Sequence, residues 1–286
     1  MVKTPFEQIV EKCQNNIPLD DQELKLLPKK WELIGEILIL RLSNKLKRKW
    51  SEIALVYAEI LGAAAVLRRF DKIRGIYREP GVEQIFGNET ETLHLENKIK
   101  FKLDPLKVMF SSGNIDERIR ISKLAKPHET VVDMFAGIGY FCIPMAVHSK
   151  PDRIIACELN PNAFNYLCEN IKLNSVQSII EPVLGDNRKS IKREIADRII
   201  MGYIKSDHTH RLAAFKILNP GGGMIHYHDV GFKNDAVELA FGKIDLSLSD
   251  SQFGSKFKAK LCNHYSIKSF GPKLNHVVLD IEFTPR

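Results

Sequence analysis

Glu158 and Asp186 are the residues through which this sequence first suggests chemistry. Glu158 ends the apolar run Arg153–Cys157, and Asp186, with Asn187 beside it, follows the run Ile179–Leu184 across Gly185. A carboxylate at the tip of one buried strand is placed to accept hydrogen bonds from both ribose hydroxyls. One at the tip of the next can accept from an adenine amino group. Upstream, Val131–Met145 holds a short apolar run (Val131, Val132, Met134, Phe135) that breaks at Gly137 and Gly139. Helical spacing then resumes through Phe141, Met145 and Val147. The pattern predicts a buried strand, a tight glycine turn and the start of a helix. Glycine suits such a turn because it reaches torsions closed to other residues and because a missing side chain admits a ligand.

A dinucleotide fingerprint would place a third glycine three residues after the second, and Cys142 stands there. No pyrophosphate cradle is therefore indicated, and S-adenosylmethionine (SAM) fits better. Phe135, Gly137, Glu158, Asp186 and Asn187 are the expected binding residues. The competing account, ordinary strand-end caps, has to explain acidic ends on three successive strands, Asp133 included. Val108–Asn114, just before this region, is a linker able to fold over the ligand, followed by a helix predicted over Ile115–Leu124. Ser111 can bond the methionine carboxylate of the ligand and Arg118 can pair with it. Helix capping and a surface ion pair account for the same composition equally well.

The remaining chain must position these groups. A short helix is expected over Pro5–Asn15 and a strand over Ile37–Leu40. Ser43 is expected to cap a helix carrying Lys45, Lys47, Arg48 and Lys49 in its first turns, opposite to the preference of the helix dipole. Arg68, Arg69, Lys72, Arg74 and Arg78 fall in one short span, and Glu91–Glu96 and Lys98–Leu103 read as a hairpin. A small α+β domain over residues 1–110, offering basic groups to tRNA, precedes a SAM-binding Rossmann-like domain over 111–286. In the latter, Asp197–Met201, Gly222–Val230, Lys258–Ser266 and Leu274–Phe283 complete an α/β doubly wound sheet of about seven strands. His208-x-His210 and His226-x-His228-Asp229 lack supporting ligand spacings, so no metal is expected, and they read as strand or loop residues near the pocket mouth.

The chain has 286 residues, a formal net charge of +7 and a pI near 9.0, which leans mildly toward a polyanionic partner. Its five cysteines form no Cys-x-x-Cys pair, as suits reduced thiols of a cytoplasmic protein. The start, Met1-Val2-Lys3-Thr4-Pro5, has no apolar core behind its charge, so no signal peptide is expected, and no apolar segment reaches membrane-spanning length.

Leu93–Ile99 (Leu-His-Leu-Glu-Asn-Lys-Ile), Lys107–Ser111, Glu117–Arg120, the Val131–Gly139 turn and Ser269–Asp280 occur in order over most of the chain. Together they resemble the anticodon-loop tRNA-modifying family that contains guanine-N(1) methyltransferases and wybutosine-synthesis aminocarboxypropyltransferases. The methyltransferase branch carries Asn-Leu-Pro or a similar triplet at the tip of the fourth strand. Here Gly202 stands in place of that asparagine, in Met201-Gly202-Tyr203-Ile204. The departure makes the sequence similar to the archaeal aminocarboxypropyltransferase branch. The resemblance implies transfer of the 3-amino-3-carboxypropyl group of SAM to a ring carbon of 4-demethylwyosine beside the anticodon of phenylalanine tRNA, with methylthioadenosine released by a monomer. It nominates Glu117 as a general base, with orientation of Arg118 or Arg120 as the other role open to it. Tyr203 is nominated to stack on the flipped base, with packing as its other role. Guanine methyl transfer and non-catalytic tRNA binding are the competing functions.

Overall fold

A computed structural model describes residues 3–269 and 271–286, so Phe270, inside the Ser269–Asp280 motif, lies outside the described residues. The chain forms two compact units: the first runs to Glu96 and includes Lys100–Ser112, and the second comprises Asn97–Ile99 and Gly113–Arg286.

In the first unit, α1 (Pro5–Asn16) begins at a capping box. Thr4 Oγ1 accepts from the Glu7 N–H at 3.3 Å, and Glu7 accepts from the Thr4 N–H at 2.7 Å. After α2 (Asp21–Leu24), β1 (Glu32–Ile34) and β2 (Ile37–Leu40) pair antiparallel, and α3 (Trp50–Leu61) crosses over to β3 (Ala65–Arg69), parallel to β2. With β4 (Val82–Phe86) the sheet order is β1-β2-β3-β4. Ile9 and Cys13 of α1, four residues apart, meet Leu38, Leu40, Ile53 and Tyr57 in the core.

Ser43 does cap the next element, but that element is a 3-10 helix, Asn44–Lys49, with α3 starting only at Trp50. Lys47, Arg48 and Lys49 thus occupy its last turn, not an α-helix start, where exposed carbonyls favour cations. The Lys49 ammonium is held by Glu23 at 2.7 Å and by the Pro18 carbonyl. Arg68 pairs with Glu83, Arg69 with Glu32 and Arg74 with Asp71, so much of the basic span is neutralised within the fold. A separate two-stranded sheet joins β5 (Thr92–Glu96) to β6 (Ile99–Leu103) through Asn97 and Lys98, at φ +48° and +66°. Positive φ at both central residues matches the right-handed twist of a tight hairpin.

The second unit runs α4 (Ile115–Ile121), β7 (Thr130–Asp133), α5 (Cys142–His148), β8 (Arg153–Glu158), α6 (Pro161–Leu173), β9 (Ile180–Leu184) and α7 (Asn187–Ser190). It continues with β10 (Arg198–Met201), α8 (His208–Ile217), β11 (Gly223–Phe232), α9 (Ala236–Ser249), β12 (Phe257–Ser269) and β13 (Leu274–Pro285). The sheet has seven strands in the order β12-β13-β11-β10-β7-β8-β9. β9, β8, β7, β10 and β11 are mutually parallel, while β13 and β12 close the sheet antiparallel. All four residues of β10 are buried, as befits a parallel strand covered on both faces. α4 ends at Ile121, short of the expected Leu124, ahead of Pro127, which cannot continue a helix.

The chain moves outward from β7 through β8 to β9, then returns to place β10 on the other side of β7. Such a reversal opens a crevice above the carboxyl ends of β7 and β10. Among the described residues no helix is long and apolar enough to cross a membrane. Cys13, Cys142 and Cys157 are buried free thiols, Cys168 is half-buried and Cys262 is exposed.

Candidate active site

The glycine turn fills the crevice floor. Gly137 and Gly139 have φ of +59° and +105°, but they serve different ends. A Cβ on Gly139 would strike Ile143 and come within 3.3 Å of Leu167, so its bareness lets turn and helix pack. Gly137 is partly exposed and is the one open to a ligand, though a Cβ there would also strike the Tyr140 ring. Its N–H donates to Glu158 Oε2 at 2.7 Å, and the Asn160 N–H donates to Oε1 at 2.8 Å. The carboxylate is thereby aimed, and a carboxylate is the group that accepts from a ribose diol.

Asn187 is 6% exposed; its Nδ2 donates to the Met134 carbonyl at 2.7 Å, while Oδ1 has no hydrogen-bond partner. A buried acceptor left unpaired costs about 1–3 kcal/mol, and a ligand amino or hydroxyl group would relieve it. Asp186 differs. It caps α7 and holds the Arg188 guanidinium at 2.8 and 2.6 Å, and those bonds keep its carboxyl below the usual range. Asn187 and Glu158, with the open face at Gly137, therefore suit the nucleoside of SAM.

Phe135, just past β7, packs at a tilt against Tyr203, just past β10, at a ring separation of 5.2 Å, and against His210 at 5.3 Å. His210 is steadied by Asp207 Oδ1 at 2.8 Å. Beneath them, a Cβ on Gly202 would lie 2.9 Å from Cε2 of Phe141. The ring of Phe141, itself against His228, thus fills the space that a side chain at position 202 would enter. Asp133, to which the sequence assigned no individual role, is wholly buried at the end of β7. It accepts from the Phe135 N–H at 3.2 Å, and burial pushes its carboxyl up to about 7.

Glu117 and Arg118 are each 2% exposed in α4. Both Glu117 oxygens accept from Arg120 at 2.8 Å, and burial raises its carboxyl above the ordinary range. Arg120 also donates to Asp280 at 2.7 and 3.1 Å and lies 4.0 Å from the centre of the Tyr265 ring. Asp280 is 2.6 Å from Nδ1 of His226, whose Nε2 is 2.8 Å from Nη1 of Arg198, and Arg198 pairs with Glu129. Arginine can only donate, so His226 must accept at Nε2 and donate at Nδ1, which fixes it neutral. His226 and His228 are each 1% exposed within β11, which corrects their expected place near the pocket mouth. His208 and His210 open α8, and among the described residues no cluster is able to hold a metal ion. Ser111 belongs to the first unit, and the other expected site residues to the second.

Residues 92–248 match the family described as TRM5/TYW2 methyltransferase domain, and residues 15–90 match the TYW2 N-terminal domain. The chain is 41% identical over 263 residues to the tRNA(Phe) (4-demethylwyosine(37)-C(7)) aminocarboxypropyltransferase of Pyrococcus horikoshii, covering 92% of each. It is 37% identical over 290 residues to tRNA (guanine(37)-N(1))-methyltransferase Trm5b of Pyrococcus abyssi, covering 98% of this chain and 83% of that one. Among solved structures, P. horikoshii TYW2 in complex with MeSAdo aligns at TM-score 0.85 and 38% identity over 98% of this chain and 99% of that one. M. jannaschii TYW2 in complex with AdoMet aligns at TM-score 0.70 and 35% identity, covering 90% and 100%. On sequence, domain order and fold together, the chain belongs to the TRM5/TYW2 family.

Proposed function

We propose that this chain transfers the 3-amino-3-carboxypropyl group of SAM to C7 of 4-demethylwyosine in phenylalanine tRNA, releasing methylthioadenosine. One observation carries this reading: similarity to the P. horikoshii aminocarboxypropyltransferase extends over 92% of both chains, at 41% identity. It acts at the anticodon loop, in the cytoplasm, as a monomer.

Asn187 and Glu158, with Gly137, hold the nucleoside end, and Arg118 pairs with the methionine carboxylate. Phe135 and Tyr203 offer aromatic faces to the extruded base. SAM supplies a sulfonium that activates the methylene of its amino-acid arm. The base forms the new carbon–carbon bond as the carbon–sulfur bond breaks, the bonding pair stays with sulfur, and the ring proton leaves to restore the aromatic system. Selection of the arm is a matter of which carbon lies in line with the base. Lys45, Lys47 and Arg48, all exposed, track tRNA phosphates without reading sequence.

A second reading, guanine N1 methylation, is favoured by the 37% identity to Trm5b. Turnover with SAM labelled separately in its methyl and in its amino-acid arm decides between them. The proposed function puts only the arm label into tRNA and yields methylthioadenosine. Methyl label in tRNA, with S-adenosylhomocysteine as by-product, overturns it.

A further inference from the structure

Phe232, the last residue of β11, is 58% exposed, although it ends a strand whose interior is buried. It pairs in register with Leu274 at the start of β13, and the next residue, Lys233, donates its N–H to the Lys273 carbonyl at 3.1 Å. This ties the β11–α9 turn to the tip of the β12–β13 hairpin, with an exposed aromatic ring beside two exposed lysines. Among the described residues, neither Lys233 nor Lys273 lies within ion-pair distance of a carboxylate. Asp235 is the acidic residue in the same turn, where it flanks α9.

The placement matters because β11 is parallel to β10 and β7, so its end lies on the same rim as the glycine turn. His226 shares a row with Ile200 and Asp133, and Phe232 lies six residues farther along β11. The ring therefore stands about 20 Å beyond the crevice floor along the strand direction. An unpaired nucleotide several positions along the strand from the one held in the crevice can reach that distance. An aromatic face rimmed by unpaired cations suits single-stranded RNA, since every base has a π-face and every linkage a negative charge.

We propose that Phe232, Lys233 and Lys273 form a stacking platform for an unpaired nucleotide of the same loop, several positions from the modified base, an assignment that rests on the tRNA-modifying function above. The platform accounts for an aromatic side chain left in water at the catalytic rim when β11 could have ended on a polar residue.

The test is binding of phenylalanine tRNA carrying 4-demethylwyosine to the full chain across a salt series, for the parent, Phe232→Ala, Phe232→Trp and the pair Lys233→Gln with Lys273→Gln. Phe232→Ala is expected to weaken binding roughly tenfold with the salt slope unchanged. Phe232→Trp should restore affinity and show fluorescence quenching on tRNA addition. The lysine pair should lower the slope by about 1.5. SAM affinity and melting temperature should match the parent throughout. Parent-like affinity and slope in all three variants, while the parent still releases methylthioadenosine, overturns the platform. Failure of the parent itself to bind or modify tRNA overturns the functional reading, and the ligand of the platform with it.

Discussion

Glu117 and Arg120, three residues apart in α4, are joined by two 2.8 Å hydrogen bonds while the Glu117 side chain is only 1% exposed. Both carboxylate oxygens are thereby committed inside the protein, and the same guanidinium reaches Asp280 on β13. The geometry favours a positioning role over proton transfer. Glu117→Gln should lower stability by about 1.5 kcal/mol, because it weakens charged hydrogen bonds to a guanidinium that Asp280 still holds. The pH profile of turnover should keep its shape. Parent-like stability with a hundredfold or greater loss of turnover would instead mark Glu117 as the base.

Gly202 faces the Phe141 ring at a distance too short for any Cβ to be added without movement. Gly202→Asn should therefore cut transfer to tRNA at least tenfold while SAM affinity, measured calorimetrically, stays near the parent's. It should not yield methylated guanosine, because the introduced amide meets an aromatic ring. Appearance of 1-methylguanosine would show that position 202 alone sets the reaction.

The unpaired Oδ1 of Asn187 awaits a donor. Asn187→Ala should weaken methylthioadenosine binding about tenfold, the scale of one buried hydrogen bond. Affinity for tRNA should be unaltered. Unchanged nucleoside affinity would remove Asn187 from the site.

Burial holds the Asp133 proton up to about pH 7 in the folded chain, whereas the unfolded carboxyl releases it near 3.8. The folded state then binds more protons between about pH 4 and 7, so this group lowers stability as pH rises through that window. The full effect is at most about 4 kcal/mol. His276, pushed down to about 4 by burial, works in the opposite sense, since stability is lost as pH falls below the ordinary histidine range. Comparing denaturation of Asp133→Asn with the parent at pH 4.5 and 8 isolates the aspartate. The variant should gain on the parent at the higher pH.

Lys45, Lys47 and Arg48 are exposed, whereas Lys49 is anchored to Glu23. Neutralising the first three should lower the salt slope of tRNA binding by about 2. Adding Lys49→Gln should change it no further.

How much of this was legible in the sequence depended on range. The run ending at Glu158 announced its strand because a parallel strand buried on both faces reads as an unbroken apolar stretch, whereas β9, at the sheet edge, is interrupted by Glu181 and Pro182. The hairpin at Asn97-Lys98 and the Gly137–Gly139 turn were likewise local events, marked by Asn97, Gly137 and Gly139, residue types that tolerate positive φ. The 3-10 segment before Trp50 was not legible, since Ser43 can cap either helix type and nothing in Asn44–Lys49 chooses between them. Nor was the series Glu117, Arg120, Asp280, His226, Arg198, Glu129, whose partners meet only after the sheet has assembled. His226 and His228 read as strand or loop residues near the pocket mouth because histidine spacing alone says nothing about which carboxylates and guanidinia will close over them. The Phe141–Gly202 fit joins residues 61 positions apart and needed the parallel pairing of β10 with β7 to be seen.

The two outer strands of the seven-stranded sheet have a consequence for the protein at high concentration. β9 carries Pro182 at its centre, which lacks the N–H that an incoming strand would need. β12, thirteen residues long, carries exposed Lys258 and Lys260, and its register with β13 shifts twice, between Leu261 and Asn263 and between Ser266 and Lys268. Missing donors on one margin, and charge with irregular pleating on the other, leave no straight template for a neighbour's backbone to extend. Crowded copies of this molecule are thus guarded against the sheet-to-sheet polymerisation that a long open β-edge invites.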